Sequence, residues 1–66
     1  MQITVNGQAR DVAEDTTLTA LLADLSLTGK PVAVEVNLQL VPRQRHPQHR
    51  LADGDRLEIV TLVGGG

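Results

Sequence analysis

Gly64-Gly65-Gly66 follows the longest strand-like run in the sequence, and here the residue types permit chemistry. Three glycines have no side chains to pack and accept backbone angles closed to other residues. Such a segment is thin enough to thread a narrow channel in another protein and to present the α-carboxylate of Gly66 without steric cover. A carboxylate is a poor electrophile until it is joined to a good leaving group. The chemistry open to Gly66 is therefore activation followed by acyl transfer. The alternative is a frayed terminus, because chain ends order poorly unless they are tied down.

The remaining side chains indicate that activation comes from outside. The chain has no cysteine, which removes disulfides, thiolate catalysis and cysteine-rich metal sites. It has no phosphate-cradling glycine loop, and with no aromatic residue it lacks the usual platform for stacking a nucleotide base. His46 and His49 stand at i, i+3 among Arg43, Arg45 and Arg50. With no third ligand nearby and three guanidinium groups around them, they read as a solvated basic loop able to face an acidic partner surface, and no metal is expected. Asp11, Glu14, Asp15 and Glu35 read as solvated charges rather than a catalytic pair.

The elements that must position Gly66 follow from periodicity. Met1, Ile3 and Val5 alternate with polar residues as in a half-buried strand, and Asn6-Gly7 suits a type I′ turn that returns Gln8 to Val12 as its antiparallel partner. Thr17 is a good N-cap. Leu18, Leu21, Leu22 and Leu25 then form one helical stripe, with Gly29 and Pro31 expected to end the helix. Val32 to Val36 is a β-branched strand, and Leu40-Val41 a short one confined to an edge by Pro42. Arg43 to Arg50 reads as a loop with a short helical turn, and Asp53-Gly54-Asp55 as a turn. Arg56 to Val63 is the expected central strand. Leu57, Ile59 and Val63 should face the helix, while Val60 and Leu62 point the other way. One helix covers one face of a sheet, so Val60 and Leu62 are expected to form an uncovered apolar docking surface.

With 66 residues, the chain holds one domain, expected over residues 1–63 with 64–66 as a flexible tail. Eight acidic against six basic side chains give no field to condense nucleic acid or an anionic membrane, so neither is an expected partner. Neither an export signal nor a membrane-spanning run is evident, and the cytoplasm is the expected compartment.

Several features match the ThiS-type sulfur carriers in order and spacing. They are Asn6-Gly7, the Thr17-Leu18, Leu21-Leu22 and Leu25 helix, Asn37, Val41-Pro42-Arg43, Asp53-Gly54-Asp55 and Gly65-Gly66. The whole chain resembles that family of ubiquitin-like proteins. The resemblance implies an α+β, β-grasp fold, with a mixed four- to five-stranded sheet and one main helix on one face. It implies that Gly66 is adenylated by an ATP-using ThiF-type enzyme and that sulfur from a persulfide donor then replaces the adenylate. The resulting thiocarboxylate would serve the thiazole synthase ThiG in thiamine biosynthesis. It also implies no bound cofactor and no catalysis by the chain itself. Gly64 is one glycine more than the family's Gly-Gly motif and changes the tail rather than the chemistry. Two other readings share these features: a carrier like the small subunit of molybdopterin synthase, which is usually longer, and an unmodified ubiquitin-like interaction module.

Overall fold

The opening hairpin forms where a turn must accommodate two residues with positive φ. Asn6 and Gly7 take φ of 49° and 83°, as a type I′ turn requires. They join β1 (Gln2–Val5) to antiparallel β2 (Gln8–Asp11). The computed structural model describes residues 1–62, so the expected place of Val63 on the helix side of the last strand lies outside the described residues, as does the tail at 64–66.

The helix α1 (Leu18–Asp24) begins as the sequence predicts. The Thr17 hydroxyl oxygen accepts from the Ala20 amide at 3.1 Å. Its end comes earlier than Gly29 and Pro31 imply. Ser26 adopts φ 61°, its amide donates to the Ala23 carbonyl at 3.0 Å, and the Leu27 amide donates to the Leu22 carbonyl at 2.8 Å. This pair of bonds is a Schellman closure, with a serine in the left-handed position where glycine is usual. Leu25 thus caps the helix instead of extending it, and Leu25 and Leu27 pack at the edge of the core.

β3 (Val32–Val36) agrees with its predicted bounds, and β4 occupies Gln39–Leu40, one residue earlier than expected. The shift has a local cause. Asn37 and Leu38 both take positive φ, 51° and 70°, and turn the chain in two residues. A 3₁₀ turn at Arg43–Arg45 follows, and β5 runs Arg56–Thr61. The sheet order is β2-β1-β5-β3-β4. β5 is central, parallel to β1 and antiparallel to β3.

The core is aliphatic. Ile3, Val34, Val36, Leu57 and Ile59 from the sheet meet Leu18, Leu21 and Leu22 from α1, and Val41 and Leu51 complete the cluster. The polar residues of the turns act as backbone staples. The Asp53 carboxylate accepts from the Gln2 amide at 2.8 Å, and Asp55 accepts from the Ala52 amide at 2.8 Å and the Asn37 side chain at 3.0 Å.

Asn6 has a second task besides the turn. Its side-chain oxygen accepts from the Ile59 amide at 2.8 Å, and its side-chain nitrogen donates to the Ile59 carbonyl at 3.1 Å. Where β1 turns away, this carboxamide supplies the ladder partner that β5 would otherwise lack. Asn6→Gly keeps the left-handed backbone accessible and removes both bonds, so it should lower unfolding free energy by about 1–3 kcal/mol in urea titration. An unchanged midpoint would show that water replaces the carboxamide without loss.

Candidate functional site

The site is the end of β5 and the surfaces beside it. β5 is held on its β1 side as far as Ile59, through the Asn6 carboxamide, and on its β3 side up to the last described residue. Thr61 pairs with Val32, and the Leu62 amide donates to the Pro31 carbonyl at 2.9 Å. A central strand buried on its helix-facing side is a firm base from which residues 63–66 depart.

On the face away from α1, Val60 and Leu62 lie 57% and 52% exposed, where their alternation with Leu57 and Ile59 predicts them. A further exposed aliphatic residue lies on this face. Glu35 pairs with Leu40 on one side and Glu58 on the other, which places Leu40 on the same face as Val60 and its partner Ala33, with the exposed Glu35 and Glu58 beside it. Leu40 is 65% exposed, and Leu38, at the tip of the β3–β4 turn, is 89% exposed. Reading Leu40 as part of a generic edge strand missed this extension. Extending the two-residue alternation across the Asn37-Leu38 turn could have revealed it. A leucine in the left-handed region costs backbone energy on the order of 1 kcal/mol or more.

His46 departs from its predicted setting. It is 4% exposed rather than solvated, packed between α1 and the 3₁₀ turn. Its Nε2 stands 3.0 Å from the Val41 carbonyl oxygen. A carbonyl only accepts, so Nε2 carries the hydrogen and donates. The Thr19 amide donates to the His46 carbonyl at 3.4 Å, and the Leu18 amide donates to the His49 carbonyl at 3.0 Å. This segment therefore caps the start of the helix, which explains the burial. Arg43 and Arg45 remain exposed as predicted.

A five-stranded mixed sheet with a single α-helix on one face and a central last strand defines a ubiquitin-like β-grasp domain. The ThiS family profile matches residues 3–66, and the chain belongs to the ThiS family. The sulfur carrier protein ThiS of Escherichia coli is 36% identical over 66 residues, spanning both chains completely. A ThiS from Geobacter metallireducens, described as a thiamine biosynthesis protein, superimposes with a TM-score of 0.84 at 35% identity, again over the full length of both. The thiazole synthase of Paramagnetospirillum magneticum is 42% identical over 66 residues; the chain spans 20% of that protein's length.

Proposed function

We propose that this chain is the sulfur carrier of thiamine biosynthesis and that Gly66 is its reactive residue. The observation that carries the reading is the full-length match to ThiS proteins, combined with a central strand, Arg56–Thr61, that Gly64-Gly65-Gly66 closely follows in sequence. In this reading a ThiF-type enzyme uses ATP to convert the Gly66 carboxylate to an acyl adenylate. The terminal sulfur of a persulfide donor then attacks the acyl carbon and displaces AMP. A thiol from outside this cysteine-free chain reduces the resulting acyl disulfide and leaves as a disulfide with the donor. The freed thiocarboxylate delivers sulfur to ThiG in the cytoplasm. The chain is a co-substrate of these enzymes and does not catalyse the steps itself. Similarity to part of a thiazole synthase supports ThiG as the recipient, since a shared polypeptide would keep carrier and synthase together. Gly64 and Gly65 serve as the slender lead that lets Gly66 enter a partner's channel.

The deciding experiment is intact-mass spectrometry after incubation with a ThiF-type enzyme, ATP and a persulfide source. A species heavier by the difference between one sulfur and one oxygen supports the reading, and an unmodified mass overturns it.

Val60 and Leu62 form part of the docking surface for the activating enzyme in this reading. Each is already about half covered, so completing their burial contributes roughly 1.5–3 kcal/mol of gross transfer free energy for the pair. The double change Val60→Ser and Leu62→Ser should weaken binding about tenfold or more while sparing the fold, because Leu57 and Ile59 are untouched. Calorimetric titration, with circular dichroism as control, measures both quantities. A folded double variant with parental affinity would remove this surface from the interface.

A further inference from the structure

We propose that Lys30 and Arg43, exposed at the mouth of a cleft floored by the buried His46, form a basic rim beside the end of β5. In this proposal the rim engages a carboxylate-rich protein surface around the mouth of the channel that receives Gly66. The inference rests on the carrier reading above and adds a second contact of different chemistry.

Residues 36–52 contain no aspartate or glutamate, and all eight side-chain carboxylates lie outside them. The same stretch carries Arg43, Arg45, Arg50, His46 and His49. Among the described residues, one ion pair touches it. Arg50 and Asp15 stand 4.0 Å apart with both side chains largely in water, which contributes little. Arg43 and Arg45 have no ion-pair partner among the described residues. A near-neutral chain is thus polarised, with its positive charge concentrated in one segment.

Sheet register places this charge. The Val41 amide donates to the Val34 carbonyl at 2.9 Å, so the chain enters the 3₁₀ turn at Arg43 after running antiparallel to β3, in the direction of Val32. Val32 is the residue paired with Thr61 at the end of β5. Two strand spacings separate β5 from β4, which sets the start of the basic segment roughly 10 Å from the end of β5. Lys30 closes the gap. It precedes Pro31, whose carbonyl holds the Leu62 amide. Lys30, Arg43 and His46 line one cleft of about 220 Å³, together with the hydroxyl-bearing Thr19 and Thr28, and no carboxylate lines it.

Chain length makes contact at this edge unavoidable. Residues 63–66 reach at most about 14 Å beyond Leu62 when fully extended. A partner that acts on Gly66 must therefore bring its surface against this end of the domain. The apolar face of Val60 and Leu62 meets one side of that surface, and the basic rim meets another. Charges at an interface rim mainly govern association rate and orientation.

The test is the association rate with a ThiF-type enzyme, measured by stopped flow at low and high salt. The double variant K30E/R43E is compared with R10E/R56E, which makes the same change in net charge on β2 and at the start of β5, away from the cleft. Lys30 and Arg43 are exposed, so circular dichroism should show a retained fold. The wild-type rate should fall as salt rises, and K30E/R43E should lose on the order of tenfold at low salt, with a flattened salt dependence. R10E/R56E should stay near wild type. Equal losses for both variants would show an effect of net charge alone and overturn the proposal. So would a wild-type rate independent of salt. Inorganic pyrophosphate is titrated into the free chain by NMR. Saturable shifts at Arg43 and His46 would assign the cleft to a small anion instead and overturn the protein-surface proposal. Adenylation of wild type in the same mixtures keeps the two readings separate. A chain that associates and is adenylated, but whose rate ignores K30E/R43E, leaves the carrier role intact and removes the rim. A chain that is never adenylated removes both.

Discussion

Removing Gly66, or appending residues beyond it, is expected to abolish adenylation and thiolation completely while the domain stays folded. An added residue buries the Gly66 carboxyl in a peptide bond, and a deletion draws the reactive carboxylate back by one residue, about 3.3–3.6 Å. Positioning errors of that size are large compared with the tolerance of an acyl-activation site. The buried core ends at Ile59, and the staples at Asn6, Asp53 and Asp55 are far from the change. Both variants should therefore melt with the parent by circular dichroism, and neither should gain sulfur by intact mass. If the truncated chain accepted adenylate at the parental rate, Gly66 would not be the reactive residue.

Leu21→Ala is expected to have the largest effect on stability. Leu21 is fully buried beneath α1. Truncating a leucine in such a site costs about 2–5 kcal/mol, through lost transfer energy and the cavity left behind. A domain of this size has about 3–10 kcal/mol in total, so the variant should lose much of its margin. Urea titration should show the midpoint moving sharply lower, with part of the population unfolded near room temperature if the cost lies at the upper end. Leu38→Ala provides the contrast. Its side chain is 89% in solvent, and the change should leave the midpoint within about 0.5 kcal/mol. A small loss at Leu21 would mean that the neighbouring leucines collapse into the vacated space.

Local patterns carried most of this fold. The alternation of Ile3 and Val5, the Thr17 cap, the leucine stripe and the β-branched run at 32–36 each specify an element without long-range help, and they agree with the structure except that Leu25, the last of the stripe, caps the helix. The missed features depend on contacts that sequence spacing does not reveal. Ser26 ends the helix because Leu22 and Leu27 can close a Schellman pair over the core, although glycine at position 29 and proline at 31 are the stronger generic stop signals. His46 is buried because the segment after Pro42 folds back onto α1, a tertiary outcome hidden by its arginine neighbours. For the candidate site, the exposed Val60 and Leu62 were legible from the parity of β5. Leu40 was not, because its face depends on which residue of β3 it opposes.

The position of β5 also bears on how the domain withstands force. A partner that draws the tail into a channel pulls along the strand axis. The ladder bonds to β1 on one side and β3 on the other lie across that axis. Load along a strand axis shears its ladder bonds together, and a central strand has two flanking ladders to shear where an edge strand has one. The Asn6 carboxamide adds two bonds midway along the strand. In the carrier reading, a partner drawing on Gly66 would load a strand bonded to neighbours on both flanks, so the sheet itself would share the pull.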